Sequence, residues 1–244
     1  ISSYALATSR HMYEHGTTRE QLAEIAVAAR SWAGLNPDAF MREPLTVEEV
    51  LASRMVCDPL TVRDCCLVTD GAGAVVLTRA ERARDLKASP VYLLGAGHAH
   101  WHRQISQMPD LTTSAATESG QRAYEMARLG PSEIDVLELY DAFTITTLMF
   151  LEDLGFCPKG EGGRFVEGGR IAPGGSLPVN TNGGGLSCVH PGMYGIFTVI
   201  EAIDQLRGTA GARQVAGAQT AISHGNGGHF SSEITAIWGT AATL

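Results

Sequence analysis

Lysine is nearly missing from these 244 residues: Lys87 and Lys159 stand against sixteen arginines. Schiff-base chemistry, which needs a desolvated lysine amine, therefore has almost no candidate. Cysteine is scarce as well. Cys57, Cys65, Cys66, Cys157 and Cys188 are odd in number and contain no Cys-x-x-Cys pair, so neither a disulfide framework nor a zinc site of ordinary spacing is expected. No apolar run approaches the ~18 residues of a bilayer span, and Ile1 to Leu6 lacks the charged-then-apolar layout of a secretion signal. Reduced thiols, a cytoplasmic location and no membrane association are the expectation. Positive charge is in deficit, 18 Lys+Arg against 26 Asp+Glu, and the net charge of −8 argues against nucleic acid as a partner while leaving room for a local phosphate patch. With 44% hydrophobic and 18% charged residues the chain is neither disordered nor highly charged, and its length suits one large domain or two small ones.

Glycine is abundant, 28 residues, and much of it punctuates periodic segments. Thr17 or Thr18 with Glu20 or Gln21 reads as a capped helix start; Leu22, Ile25, Ala26, Ala29 and Trp32 follow at helical spacing, and Gly34 stops the run. Asn36-Pro37 opens an irregular stretch, Thr46 to Ser53 reads as a short helix, and Asp58-Pro59-Leu60 turns the chain. Cys66 to Thr69, Asp70 to Gly73 and Ala74 to Thr78 predict strand, tight turn, strand; no helix pattern follows the Gly-x-Gly, so a hairpin is favoured over a nucleotide loop. Charged residues from Arg79 to Lys87, ending at Pro90, read as a connector. Beyond it come a strand from Val91 to Leu94, a helix from Ala115 to Leu129, a strand from Ile134 to Leu139 and a helix from Phe143 to Leu154. A glycine-rich excursion (Gly160 to Gly175) precedes Leu177 to Asn180 and a glycine turn. Pro191 then opens a helix reaching about Leu206, and strands at Gln219–Ser223 and Ile234–Trp238 close the chain. The alternation predicts an α/β architecture, a mixed sheet covered by helices.

Specific chemistry enters with Asn180-Thr-Asn-Gly-Gly-Gly-Leu-Ser-Cys-Val-His190-Pro-Gly-Met-Tyr194-Gly195, which resembles the Asn-x-x-Gly-Gly … Gly-His-Pro signature of the thiolase superfamily. Tyr140-Asp141-Ala142-Phe143 resembles that family's strand-end motif, and Ser223 to Gly228 falls where its C-terminal Cys-x-Gly motif lies. Upstream, Tyr4 to Ala33, Asn36-Pro37 and Asp64-Cys65-Cys66 through Asp70-Gly71-Ala72 resemble the loop domain and closing strands of sterol carrier protein-type thiolases, so the likeness covers essentially the whole chain. It implies a thiolase fold whose C-terminal βαβαβαββ half is complete at residues 89–244, with a mixed five-stranded sheet. Residues 1–88 would then be part of the N-terminal half, entered downstream of the family's nucleophilic cysteine. The acid/base cysteine is also replaced, by His224 in one subgroup's position and Ala142 in the other's.

Tyr-Asp-Ala-Phe with Gly-Met-Tyr-Gly is similar to the lipid-transfer-protein branch, which implies retro-aldol cleavage of a β-hydroxyacyl-CoA, as in steroid side-chain removal, beside an OB-fold, zinc-ribbon partner. The resemblance implies Tyr140, Tyr194, His190 and Asp141 as catalytic and His224, Asn226, Gly227 and Asn180 as substrate-binding. It implies no cofactor beyond the coenzyme A thioester substrate, and a homodimer. Claisen-type acyl transfer and a non-catalytic thiolase-fold subunit are the alternatives. Residue by residue, plainer readings stand beside these: either tyrosine as packing, Asp141 as the cap of the following helix, Cys188 as a structural thiol, Asn226 as a hairpin turn. His98, His100 and His102 alternate as a metal-binding strand requires, but Gly95, Gly97 and Pro109 predict a loop there and no metal site.

Overall fold

The computed structural model describes residues 1–244. Helices α1 (Ser2–His15), α2 (Arg19–Gly34) and α3 (Val47–Ala52) come first, then a small antiparallel pair, β1 (Met55–Cys57) with β2 (Leu60–Thr61), and a four-residue helix α4 (Ala80–Ala83). Both α2 and α3 start with a complete capping box, Thr18 with Gln21 as the sequence predicts, and Thr46 with Glu49, where the sequence predicts a short helix. The second part runs β3 (Tyr92–His100), α5 (Ala116–Ala127), β4 (Val136–Leu139), α6 (Thr144–Asp153), α7 (Gly162–Val166), α8 (Gly195–Arg207), β5 (Thr220–Gly227) and β6 (Ser232–Gly239). No helix is long and apolar enough to cross a membrane.

The sheet order is β3-β6-β5-β4, with β4 parallel to β5 and the other pairs antiparallel. Side-chain alternation divides its strands between two layers. Leu137, Leu139, Ile222 and Ile237 join the main core with α6, whose ten residues are all buried; Val136, Ala221 and Trp238 pack with Ala202 and Leu206 of α8 on the other side. Tyr4 of α1 and Leu22 and Ile25 of α2 belong to the same core as α6, so the N-terminal helices pack directly onto the sheet's α6 layer.

Four local expectations are corrected. The anticipated fifth strand, Leu177 to Asn180, shrinks to one parallel bridge, Val179 to Leu137, because Pro178 has no N–H to donate and Asn180 turns to φ 52°. The hairpin over residues 66–78 does not form. A two-stranded ribbon is marginal unless it joins a larger sheet. The segment instead lies extended across the second part, donating from Cys66 N to Ala142 O and from Leu67 N to Gly185 O, each 2.9 Å. Its glycines serve close approach rather than a turn: a Cβ on Gly73 would lie 2.5 Å from Ile200 of α8. Val68, Val76 and Leu77 on this segment are exposed. His98 and His100, predicted in a loop, lie on β3, where Gly95 and Gly97 let α5 approach. Finally, α8 begins at Gly195, not Pro191, since Gly192 and Gly195 fall in what would be its first turn.

A Cβ on Gly97 would sit 2.1 Å from Ser119 O and one on Gly95 2.3 Å from Ala123 O, both backbone atoms of α5. Gly97→Ala is therefore expected to destabilise the fold by about 1–3 kcal/mol. Thermal unfolding followed by circular dichroism checks this; a melting temperature equal to wild type would mean that α5 stands further from β3.

Candidate active site

The carboxyl ends of the parallel pair β4–β5 open onto a cavity of about 590 Å³, the place where ligands bind in open α/β sheets. Tyr140 continues β4 by one residue, held by its N–H to His224 O at 3.0 Å. Asn226 and Gly227 sit at the end of β5, and the wall also includes Tyr4, Cys66, His98, Ala142 and His190.

Three rings meet here. Tyr140 stands edge-on to His190 and to Tyr194, with centroids 5.4 Å apart in both pairs, and His190 stacks on Tyr194 at 5.6 Å. Their positions are set by backbone contacts. His190 N donates to Thr69 Oγ1 at 2.9 Å, so the extended segment pins the loop from behind. Asp141, fully buried, accepts from Gly185 N (2.5 Å) and Leu186 N (3.2 Å) and ties the end of β4 to the single π turn Gly184–Cys188 that leads to His190. A Cβ on Gly184, where φ is +65°, would lie 2.0 Å from Asp141 Oδ2, so the turn needs glycine.

Burial pushes the Asp141 carboxyl up to about 7, held back by those two N–H groups. It lowers the His190 pKa, so the imidazole stays neutral, with Nε2 buried and unpartnered. Burial likewise raises the Tyr140 hydroxyl above its ordinary value, partly countered by the Tyr194 backbone. Cys66, the cysteine in the wall, is held as a thiol, pushed to about 12 first by burial and then by Asp141.

The predicted set therefore divides. Tyr140, His190, Asn226 and Gly227 line the cavity; Tyr194, Asp141, His224 and Asn180 do not. Tyr194 is entirely buried behind His190, its hydroxyl making only a long contact, 3.5 Å, to Asn182 Oδ1. Asp141 grips the glycine turn and does not cap α6. Asn180 Oδ1 accepts from Leu139 N at 2.7 Å and so closes the edge of β4. His224 faces α6, against Phe150 at 4.4 Å, because the period of two along β5 gives it the same side as the core residue Ile222. Of the alternating histidines, His98 contacts Ser232 Oγ at 3.2 Å and His102 contacts His229 O at 2.9 Å; no three His, Cys, Asp or Glu side chains converge. Sequence reasoning missed Tyr4, Cys66 and His98. Tyr4 and Cys66 belong to the upstream segments, far in sequence from the three motifs of the second part, and the glycines around His98 predict a loop where β3 aims its ring into the cavity.

Comparison with known proteins bears on what such a site does. A family model described as thiolase C-terminal domain-like matches residues 97–240. An acetyl-CoA acetyltransferase of Methanothermobacter thermautotrophicus is 44% identical over 93% of this chain and 60% of its own length. The 17-hydroxy-3-oxo-4-pregnene-20-carboxyl-CoA lyase of Mycobacterium tuberculosis is 36% identical over 84% of this chain and 54% of its own. Among solved structures, an Ltp2–ChsH2(DUF35) aldolase superposes with a TM-score of 0.92 at 33% identity, covering 99% of this chain and 64% of that one. The chain thus spans at most 60% of the length of these curated relatives.

His224 sets up a test of the site's electrostatics. Its Nε2 lies 3.1 Å from Glu233 Oε2 with both side chains inaccessible. Burial pulls His224 down to about 3 and pushes Glu233 well up, so the pair is neutral, the carboxyl donating to the imidazole. Between roughly pH 4.3 and 6.5 the pair binds one proton both folded and unfolded, and contributes no pH dependence. Below that window the unfolded state takes up an extra proton, and above it loses the one the fold retains, so stability contributed by the pair declines on both sides. NMR of ¹³C-labelled side chains is expected to show a neutral His224 ring and a protonated Glu233 carboxyl at neutral pH; carboxylate and imidazolium shifts would establish an ion pair instead.

Proposed function

The chain belongs to the thiolase superfamily, and we propose that the protein carrying it cleaves the carbon–carbon bond of a β-hydroxyacyl-CoA by a retro-aldol reaction. One observation carries this reading: Tyr140 and a neutral His190 with a free Nε2 share the cavity wall, while the wall's only cysteine is held as an unreactive thiol and Ala142 offers a methyl group. Retro-aldol cleavage takes a proton from the β-hydroxyl, breaks the Cα–Cβ bond to leave a carbonyl product and a thioester enolate, and returns a proton to Cα. Tyr140 is the proton-transfer group: reacting as the phenolate, the form that the Tyr194 backbone at the start of α8 favours, it takes the β-hydroxyl proton and, as the phenol so formed, returns it to Cα. His190 supplies a hydrogen bond to the thioester oxygen as it gains enolate charge. Tyr194 backs the imidazole and keeps it in place. The lyase named for a steroid-derived thioester supports a bulky β-hydroxyacyl substrate, and the aldolase solved as a two-protein assembly supports an OB-fold, zinc-ribbon partner. Residues 1–88 as a partial N-terminal half, residues 89–244 as the C-terminal half, a homodimer and a cytoplasmic location complete the proposal.

The identity of 44% to a protein named acetyl-CoA acetyltransferase favours Claisen-type acyl transfer as the second reading. One assay separates the two. The complete gene product, with its partner, is expected to cleave a β-hydroxyacyl-CoA and to leave acetoacetyl-CoA with free coenzyme A intact. Tyr140→Phe, which keeps the ring and removes the hydroxyl, should lower kcat by about 10²-fold or more, and Tyr194→Phe should cost much less. Rapid thiolysis of acetoacetyl-CoA would make acyl transfer the reaction, and undiminished turnover in Tyr140→Phe would remove that hydroxyl from the mechanism.

A further inference from the structure

We infer that Tyr4 is a positioning residue that decides which end of the Asn226 amide the cavity presents, making Asn226 an acceptor that selects a hydroxyl on the acyl chain over a ketone or a methylene. This rests on the β-hydroxyacyl reading above and adds to it a means of substrate discrimination.

Tyr4 Oη lies 2.9 Å from Gly228 O and 3.2 Å from Asn226 Nδ2. A phenol has one proton, and a backbone carbonyl only accepts, so that proton is committed to Gly228 O. Toward Asn226 the same oxygen is therefore an acceptor, and the amide must turn its NH₂ to it. The flipped amide would set Oδ1 against an oxygen with no proton to give. Three features keep this arrangement in place. The Tyr4 ring is packed by Phe143 at 4.4 Å and Phe230 at 4.9 Å. The Gly228 carbonyl is oriented by a tight hairpin, in which Gly228 has φ +65° and a Cβ would lie 2.3 Å from Ser231 Oγ. Burial pushes the Tyr4 hydroxyl up to about 12, so it keeps its proton.

The remaining amide atom, Asn226 Oδ1, is buried and has no partner in the protein, although Asn226 lines the cavity. A buried acceptor left unpaired costs free energy that a donor on the ligand recovers. A β-hydroxyl is such a donor. A β-keto oxygen would meet Oδ1 acceptor to acceptor, and a methylene would leave it unpaired.

The test is binding by titration calorimetry with 3-hydroxyoctanoyl-CoA and octanoyl-CoA as probes on the complete gene product, every protein compared, wild type at Tyr4 and Asn226 included, carrying Tyr140→Phe so that the hydroxylated probe is not consumed. Wild type is expected to bind the hydroxylated probe about tenfold or more tightly. Tyr4→Phe preserves the ring packing and should erase most of that margin while leaving the octanoyl-CoA affinity unchanged, which also shows that the variant is folded. Asn226→Ala, with Tyr4 intact, should erase the margin too. Combining Tyr4→Phe with Asn226→Asp should restore it, because a carboxylate presents an acceptor whichever way it turns. No margin in wild type, an intact margin in Tyr4→Phe, or no recovery in the double variant would each overturn the inference. A margin that behaves as expected, where the protein with Tyr140 intact shows no lyase activity, would sustain it while refuting the retro-aldol reading; lyase activity with a margin indifferent to Tyr4 would do the reverse.

Discussion

The geometry of the site depends on one buried carboxylate. Asp141 lies between Tyr140, which faces the cavity, and Ala142, and its two oxygens take the N–H groups of Gly185 and Leu186. A carboxyl group buried this deeply needs partners, and backbone amides at the start of a tight turn provide them and hold its pKa down to about 7 without a counter-ion. The clamp leaves no room for side chains: Cβ atoms at Gly183, Gly184 and Gly185 would meet Ala33, Asp141 and His190 respectively at under 3.0 Å. The glycine run therefore serves to bring a turn against a carboxylate and, through it, His190 against Tyr140. Asp141 organises the site without reaching the cavity.

The layers around the sheet explain why the cavity opens where it does. Helix α6 is buried throughout, enclosed by the sheet, α1, α2, α5 and α7, and its charged residues Glu152 and Asp153 are matched inside by His11, Ser114 and Lys159. Side chains along β5 that face it sink into the core until the strand ends, so His224 is covered by Phe150 while Asn226, two residues on, reaches the cavity. Tyr4 arrives from α1 at the same edge. The cavity thus collects groups from β3, β5, β6 and the end of β4, from α1, from the extended segment at Cys66 and from the loop before α8.

Buried polar groups lie on both faces of the sheet and are largely matched to one another, although one oxygen each of Glu138 and Glu233 has no partner. Below α6, Glu233, His224, Thr235 and Ser119 form a line of successive hydrogen bonds, the inner two at 2.9 Å, ending on Ala116 O. Below α8, Thr181 Oγ1 contacts Glu138 at 2.8 Å and Glu201 at 2.6 Å, and Arg213 pairs with Glu201 at 2.9 Å. Burial beside Glu201 pushes Glu138 well above the usual carboxylate range. Of the buried polar atoms without a partner, His190 Nε2 and Asn226 Oδ1 belong to residues of the cavity wall.

Local chemistry made several features legible before any coordinates. The helix starts at Thr18 and Thr46 depend on side chains three residues apart, and the strand–helix alternation after residue 90 on short-range periodicity, so both follow from neighbouring residues alone. The ordered motifs around Tyr140, Asn180 to Tyr194 and Ser223 to Gly228 likewise pointed to residues that line the cavity or lie within a few positions of its wall. Tertiary structure decided what each residue there does. Whether residues 66–78 form a hairpin depends on a sheet being available to accept it. Whether His224 or Asn226 meets ligand depends on which residue of a two-residue period lies past the edge of α6. Whether Tyr140 or Tyr194 is the accessible phenol depends on His190 being stacked between Tyr194 and the cavity. Tyr4, 136 positions from Tyr140 in the chain, begins a segment that resembles the family's loop domain but carries no local signal of a place in the site; only the packing of α1 against the end of β5 brings its hydroxyl to Asn226.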